Sequence, residues 1–275
     1  MVADAVRRFL FRHVAGRVLY EIVYNLDKHY GVLAASAIAF DAFLSLIPLA
    51  AFGGYILQRL HQKGEVVLAP LLRGAPPPVA ELVIDSVSRL SATSAAVVAP
   101  VSIAAFLWTS SAGISTAMGV FENTFASPPR PWWWRRLIAM ASVIAAVAMM
   151  GVLAGAQYAL TQISTVLAGV YALVVPLATM VVMLAGFFRV AVRAGGPHPK
   201  RRVLPGVGAT LILWTLVSVL FSLYVAKIAR YATLYGGLAA VAIFLFWLWL
   251  LALALLVGGE VNAQLDGIRE ASPDR

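Results

Sequence analysis

Long apolar runs constrain the fold of this chain more than any other feature. Six stretches of twenty or more residues recur along it, and five of them carry no charged side chain. Each is long enough to cross a hydrocarbon core about 30 Å thick as an α-helix, whereas membrane β-strands are shorter and alternate in polarity. An all-α, polytopic membrane protein is therefore predicted, with six transmembrane helices at about 32–57, 94–118, 137–160, 166–188, 203–226 and 238–258.

The distribution of basic residues predicts the orientation. The chain carries 21 lysines and arginines against 12 acidic residues, a net charge of +9. If the N-terminus is cytoplasmic, fifteen of the 21 lie on the cytoplasmic side, where the positive-inside rule expects them. Both termini are thus predicted to be cytoplasmic, and no nucleic-acid partner is expected. The six basic residues on the outer side are Arg59, Lys63, Arg73, Arg89, Lys227 and Arg230.

The chain divides into a membrane domain and short flanking segments. Residues 31–265 hold the six predicted spans, and residues 58–93 form a short helical cap over the outer (periplasmic) mouth. Residues 1–30 place apolar side chains at helical spacing with arginines between them, which is typical of an amphipathic helix at the cytoplasmic interface. A helix packed beneath the bundle would show the same pattern. Residues 266–275 are predicted to be a cytoplasmic tail.

Asp41 is the residue that contact with lipid explains least. It lies near the middle of the first span, where an ionised carboxylate costs roughly 2.5–3.5 kcal/mol unless it is paired, wetted or protonated. Ser45 shares its helical face, and Pro48 can kink the span just beyond it. These groups indicate either a polar cavity or helix-packing serines beside a locally hydrogen-bonded acid. The cavity candidates are Ser36, Asp41, Ser45, Pro48, Trp108, Ser111 and Ser115.

Two further groups of side chains are predicted near the cytoplasmic ends of the spans. Trp132, Trp133 and Trp134, with Arg135 and Arg136, suit a headgroup anchor in the loop before the third span. Acidic and amide residues just beyond the second and sixth spans are expected to meet arginines that follow the fourth. They would form an inner gate or, more simply, structural ion pairs. This inner-mouth network comprises Glu122, Asn123, Arg189, Arg193, Glu260 and Asn262.

Three segments carry a pattern that extends over most of the chain. They are residues 34–49 (AASAIAFDAFLSLIPL), 119–131 (GVFENTFASPPRP) and 234–265, in the first span, the following loop and the last span. Together they resemble the YihY/BrkB family of bacterial inner-membrane proteins. Members usually carry an aromatic residue at the position of Asp41, so the acid departs from the pattern. The matching residues are Phe40, Leu44, Ser45, Leu46, Pro48, Asn123, Tyr235, Gly236, Trp247, Gly258 and Glu260.

The resemblance implies six spans with both termini in the cytoplasm, but no settled biochemical activity. Family members have carried a ribonuclease label and have been linked to serum resistance and to envelope lipid or lipopolysaccharide traffic. The residues themselves disfavour hydrolysis. The chain has no cysteine, no two of its histidines lie within ten residues of each other, and no phosphate-binding or hydrolase motif occurs. A protein that is not an enzyme, without metal or cofactor, is therefore expected.

The function that these features favour is the transport or flipping of an amphipathic envelope lipid across the inner membrane. The spans are too apolar for a sugar or ion path, and the basic helix and the Trp/Arg loop suit anionic headgroups. Expected partners are membrane lipids, an anionic phospholipid or a lipopolysaccharide precursor among them. A homodimer through small-residue faces is left open. The alternative function is a non-transporting scaffold or regulator of envelope assembly.

Overall fold

A computed structural model describes residues 14–59, 95–125, 127–191, 203–228 and 236–265. Every regular element within these residues is a helix, and the last six are long and apolar enough to cross a membrane. The predicted all-α fold with six spans is thereby confirmed. The helices are α1 (Val14–Lys28), α2 (Gly31–Arg59), α3 (Ala95–Thr124), α4 (Trp132–Ile163), α5 (Thr165–Ala191), α6 (Leu204–Ile228) and α7 (Gly236–Leu265).

Several predictions fall outside the described residues. These are the first part of the N-terminal helix, almost all of the outer cap at 58–93, the tail at 266–275 and Arg193. Within the described part, α1 is the amphipathic segment that precedes the first span, and it packs against α2 and α7.

Successive spans run antiparallel, so helix termini gather at two ends of the bundle. We call one the basal end, where α2, α4 and α6 begin and where α3, α5 and α7 finish; the opposite end is the distal end. The predicted orientation would put the basal end in the cytoplasm, and that assignment stays a prediction.

The helices extend beyond the apolar runs that revealed them. α4 begins at Trp132, directly after the extended Pro131, so the three tryptophans lie on its first turn and not in a loop. α7 continues to Leu265, which places Glu260 and Asn262 inside a helix and not beyond one. Hydropathy marks the part of a helix that suits lipid, whereas the helix itself continues until its backbone is capped or broken.

Side-chain packing is concentrated toward the basal end. Phe121 of α3 is buried there, with its ring 5.7 Å from that of Phe187 and 5.5 Å from that of Phe188 on α5. It also presses on Gly259 of α7, where a Cβ atom would overlap the ring. Three spans therefore meet around one aromatic side chain at the basal end.

The α4–α5 hairpin carries the most exposed apolar surface of the described residues. Leu173 is 79% exposed, and most of the distal half of α5 is exposed with it. Two side-chain hydrogen bonds join the helices: Tyr171 Oη donates to the Leu153 carbonyl at 3.0 Å, and Gln157 Nε2 donates to the Ala168 carbonyl at 3.2 Å. The hairpin is therefore a paired unit whose outer surface suits acyl chains.

We expect Tyr171→Phe to loosen this hairpin, because it removes the hydroxyl that links α5 to the Leu153 carbonyl. The loss should be about 0.5–1.5 kcal/mol, seen as a lower unfolding temperature of the purified protein in detergent. Tyr158→Phe is the matched control, since Tyr158 lies on the same hairpin with 61% of its surface exposed. Equal unfolding temperatures for the two variants would contradict the assigned bond.

α6 and α7 approach each other through glycine. A Cβ atom on Gly206 would overlap the Gly258 carbonyl, and one on Gly258 would lie 2.7 Å from the Gly206 carbonyl. The Gly206 N–H is near the start of α6, where helical N–H groups lack an acceptor of their own, and it donates to Asn262 Oδ1 at 2.7 Å. The pair of helices is thus fixed by backbone contact and by a cap supplied from the neighbouring helix.

Candidate functional site

Polar side chains on α3 follow the face that meets α4. Trp108, Ser111, Ser115 and Glu122 are three, four and seven residues apart, which places them on one side of the helix. Three arginines at and just before the start of α4 face them. We call the whole set the polar seam: Trp108, Ser111, Ser115 and Glu122 of α3, Arg130, Arg135 and Arg136, and Asp41 of α2.

The basal part of the polar seam is a buried ion-pair cluster. The Glu122 side chain is only 1% exposed, and its carboxylate lies 3.0 Å from Arg130 Nη1 and 3.5 Å from Arg135 Nη1. Arg130 also donates to the last carbonyls of α5, at 2.8 Å to Ala191 and 2.9 Å to Val190. Cations are stabilised at a helix C-terminus, so Arg130 joins α5 to α3 by charge as well as by hydrogen bonds.

The middle of the polar seam depends on a close approach between helices. Arg135 Nε donates to Ser115 Oγ at 3.2 Å, so one guanidinium contacts both Ser115 and Glu122. A Cβ atom on Gly119 would lie 3.0 Å from Arg135 Nη1, and the absence of a side chain there gives the guanidinium its room. Arg135 therefore lies along the face of α3 rather than extending into the headgroup layer.

The distal part of the polar seam combines a cation and an indole, and an acid lies against another face of the same helix. The Arg136 guanidinium carbon lies 4.4 Å from the centre of the Trp108 ring, and Nη2 donates to the Trp108 carbonyl. We call this pair of Arg136 and Trp108 the distal patch. Asp41 of α2 also packs against α3, since a Cβ atom on Gly113 would lie 3.5 Å from the Asp41 Cβ. Gly113 is five residues after Trp108, about 140° around α3, so Asp41 and Arg136 contact different faces of that helix.

The distal patch is open at the side of the bundle, with Arg136 four residues after Trp132, about 6 Å along α4. Asp41 lies ten residues after Gly31, about 15 Å along α2, close to the middle of the candidate span Gly31–Phe52. Trp108 is 59% exposed, and Asp41 and Arg136 are each partly exposed. A charged side chain within the spans is costly, which marks this region as a candidate functional site.

The other cavity candidates on α2 make contacts of their own. Ser36 is exposed, and its hydroxyl donates to the Val32 carbonyl at 3.2 Å. It lies five residues before Asp41, which is about 140° around the helix. Ser45 is buried and donates to the Ala42 carbonyl at 2.7 Å. Pro48 is partly buried inside a continuous α2. Ser36 therefore lies on another face of α2 than Asp41, Ser45 is hydrogen-bonded within its own helix, and a cavity lined by these residues stays a prediction.

The predicted inner-mouth network is two separate clusters. Glu122 belongs to the polar seam, with Arg130 and Arg135 as partners and not Arg189, which is exposed. The chain after α3 folds back at once, with the Ser127 N–H donating to the Glu122 carbonyl at 2.9 Å, and this turn brings Arg130 to the carboxylate. Asn123 points away from the cluster and is exposed.

The second cluster lies where α1 meets α7. Glu260 is buried at 3% exposure and accepts a hydrogen bond from Asn25 Nδ2 at 2.9 Å, which joins the amphipathic helix to the last span. Asn262, at 2% exposure, caps α6 through Gly206. Both residues therefore hold helices together, which is the structural alternative that the sequence left open for this network.

The predicted headgroup anchor separates into two kinds of residue. Trp132, Trp133 and Trp134 are all exposed, as contact with headgroups requires, and that role stays a prediction. Arg135 and Arg136 instead turn toward α3 and belong to the polar seam. Beside the buried Glu122 and the Trp108 ring, an arginine gains charge-assisted hydrogen bonds that water at the interface would weaken.

The sequence did not predict the roles of Arg130 in the polar seam or of Gly113 and Gly119, two glycines of α3 that lie beside it. The signal for Arg130 was present, since a basic residue in a turn eight positions after an acid can fold back onto it. The roles of Gly113 and Gly119 depend on how closely the neighbouring helices approach, which no sequence spacing reveals. Among the described residues, no group of three or more His, Asp or Glu side chains is placed to hold a metal ion.

Comparison with known proteins gives the family. The profile of the family described as virulence factor BrkB matches residues 22–275. The chain belongs to the BrkB family. The resemblance found in its first and last spans is thereby confirmed, and so is its nature as a membrane protein of this type.

Two curated relatives are similar to this BrkB-family chain. A UPF0761 membrane protein of Aromatoleum aromaticum is 26% identical over 251 residues, which cover 86% of this chain and 60% of the relative. The ribonuclease-like protein YfkH of Bacillus subtilis is 35% identical over 74 residues, 27% of this chain and 26% of the relative. The chain thus spans three fifths or less of these relatives. No solved structure matches it significantly.

Proposed function

We propose that this BrkB-family protein moves an amphipathic lipid between the leaflets of the bacterial inner membrane, with its basal end in the cytoplasm. The headgroup would pass along the polar seam while the acyl chains stay in the surrounding bilayer. The observation that carries this proposal is the Arg136 guanidinium over the exposed Trp108 ring, a cation beside an indole that is open at the side of the bundle.

The rest of the polar seam supports the same function. From Glu122 to Trp108 is fourteen residues, about 21 Å along α3, so polar groups extend over much of a hydrocarbon core about 30 Å thick. Exposed tryptophans at the start of α4 lie beside this path and suit the headgroup layer. A non-enzymatic role is part of this proposal, because the side chains of the seam include no nucleophile–base pair.

A static scaffold is the second candidate, and the basal cluster favours it. Glu122, Arg130 and Arg135 form a closed set of contacts, with Arg130 tied to the end of α5. Such a cluster stabilises one arrangement of the bundle and offers no passage there. A scaffold would show the same fold and would move no lipid, so measuring transfer separates the two functions.

The test is lipid transfer in liposomes that contain the purified protein and fluorescent phospholipids. We expect transfer above protein-free liposomes for the wild type, and a loss of about tenfold for Arg136→Gln, which removes the charge at the distal patch. Arg189→Gln is the charge-matched control, because Arg189 is exposed and lies outside the polar seam. If the wild type moves no more lipid than empty liposomes, with or without a pH gradient, the proposal is to be abandoned.

A further inference from the structure

The polar seam holds more positive charge than its ion pairs balance. Arg130, Arg135 and Arg136 bring three guanidinium groups to α3, and Glu122 is the one carboxylate that pairs with any of them among the described residues. Its partners are Arg130 and Arg135, so Arg136 has no ion pair in that part of the chain. Asp41 lies against another face of α3. A guanidinium partly withdrawn from water without a counter-ion is costly, which indicates that an anion from outside the protein completes the seam.

Arg136 also keeps hydrogen-bond donors for such an anion. A guanidinium has five N–H donors, and Nη2 of Arg136 uses one of them for the Trp108 carbonyl, which also accepts from Ser111 Oγ at 3.0 Å. Nε is buried without an acceptor, whereas Nη1 is not buried and has no acceptor among the described residues. The outer end of the guanidinium can therefore donate to a ligand with at least two acceptor oxygens.

Apolar surface continues from the distal patch toward the distal end of the bundle. Val101 is seven residues before Trp108 and shares its face of α3, and Val147 is eleven residues after Arg136 and shares its face of α4. Both valines are exposed, as Trp108 is. A ligand whose polar end is at Arg136 therefore has the apolar surface of two helices beside it, which suits acyl chains better than a small soluble anion.

We infer that the distal patch of Arg136 and Trp108 binds the phosphate of a phospholipid whose headgroup carries a net negative charge. The planar guanidinium suits two phosphate oxygens, and its position over the Trp108 ring fixes the plane of that fork. The acyl chains lie along the exposed surface of α3 and α4 that runs distally from the patch. This inference rests on the proposed function and names the class of lipid that the polar seam moves.

The neighbouring charges favour an anionic headgroup over a zwitterionic one. Arg130 and Arg135 share the Glu122 carboxylate, so one positive charge of that pair stays uncompensated. The Arg135 guanidinium contacts Ser115, seven residues and about 10 Å along α3 from Trp108. At this distance its charge repels the quaternary ammonium of a choline headgroup, whereas a glycerol headgroup carries no cation and its phosphate is attracted by both arginines.

The test compares lipids retained by the purified full-length protein in mixed detergent micelles, measured by native mass spectrometry. Dioleoyl phosphatidylglycerol and dioleoyl phosphatidylcholine, which share the phosphate and the acyl chains, compete at equal concentration. We expect about tenfold preference for the glycerol lipid, the size of one charge interaction across about 10 Å at an effective dielectric constant of about 20. Equal retention of the two would overturn the inference, and so would displacement of the bound lipid by soluble glycerol phosphate at the same concentration.

Three variants separate recognition at Arg136 from structure and from overall charge. Arg136→Gln should lower both lipids about tenfold, because both place a phosphate there, and Arg136→Lys should recover part of the retention by keeping the charge without the planar fork. Arg189→Gln removes the same charge from an exposed site outside the polar seam and should change neither retention nor preference.

Two outcomes with these variants would refute the site. If Arg189→Gln lowers retention as much as Arg136→Gln does, the overall positive charge of the protein explains the binding. If Arg136→Lys retains no more lipid than Arg136→Gln, the arginine has only a structural role. Should Arg136→Gln fail to fold, the preference for the glycerol lipid in the wild type, and its survival in Arg189→Gln, still decide.

The binding assay is independent of transfer between leaflets. Preference for the glycerol lipid without transfer in liposomes would support the binding site and refute the proposed function. Transfer of both phospholipids at one rate, with equal retention in micelles, would support the function and refute this assignment of the lipid class.

Discussion

Glu122→Gln is expected to destabilise the protein by about 3–5 kcal/mol, the usual cost of removing one partner from a buried charge cluster. The Glu122 carboxylate is 1% exposed and lies between Arg130 and Arg135, whose side chains are 9% and 27% exposed. An amide cannot neutralise either guanidinium, so both would stay charged without a counter-ion. The unfolding temperature in detergent and the yield of monodisperse protein measure the effect.

The structure also indicates where the damage should appear. Arg130 donates to the Val190 and Ala191 carbonyls, so loss of its counter-ion should free the basal end of α5. Hydrogen exchange should therefore increase at the end of α5 more than in α4. Asn123→Ala is the control, because Asn123 is the exposed neighbour of Glu122 and should change stability by less than about 0.5 kcal/mol.

A double variant tests whether the cost comes from unpaired charge. Glu122→Gln combined with Arg135→Gln removes one of the two stranded guanidinium groups. Neighbours in one network are commonly coupled by about 0.5–3 kcal/mol, so the double variant should be more stable than the sum of the single changes predicts. Strict additivity, or a Glu122→Gln protein as stable as the wild type, would show that the cluster does not hold the basal end.

The six spans could be predicted from the sequence because a membrane imposes a simple requirement. Backbone groups in hydrocarbon must be satisfied within the segment, so length and hydropathy suffice to find the helices. The face shared by Trp108, Ser111 and Ser115 was also accessible, since helical spacing alone determines it. The same geometry places Ser36, five residues before Asp41, on another face of α2.

The partners across helices could not be predicted. Charge counts assign a loop to one side of the membrane, but they do not choose which of several arginines meets a given acid. Glu122 was expected near Arg189 or Arg193, and a turn of a few residues brings Arg130 to it. Arg136 was expected to extend toward headgroups, and it is the Trp108 ring and carbonyl on the neighbouring helix that hold it.

The close contact between α6 and α7 predicts the second large effect on stability. A nearby glycine provides a matched control, for which the same substitution should change stability in the opposite direction. A Cβ atom on Gly206 would overlap the Gly258 carbonyl, which is backbone and cannot rotate away. Gly206→Ala should therefore push α6 from α7 and cost about 1–3 kcal/mol, as overpacking usually does. Gly208 has no neighbouring atom within 4 Å of an added Cβ, so Gly208→Ala should stabilise α6 by about 0.5–1 kcal/mol.

A second substitution shows which contact is responsible. An added Cβ on Gly206 would meet the Asn262 side chain as well as the Gly258 carbonyl. Asn262→Ala clears the side chain but leaves the backbone overlap, and it also removes the acceptor for the Gly206 N–H. The double variant should therefore be no more stable than Gly206→Ala in a thermal unfolding scan. Recovery of the wild-type unfolding temperature would mean that side-chain crowding, and not close backbone approach, sets the spacing of these two helices.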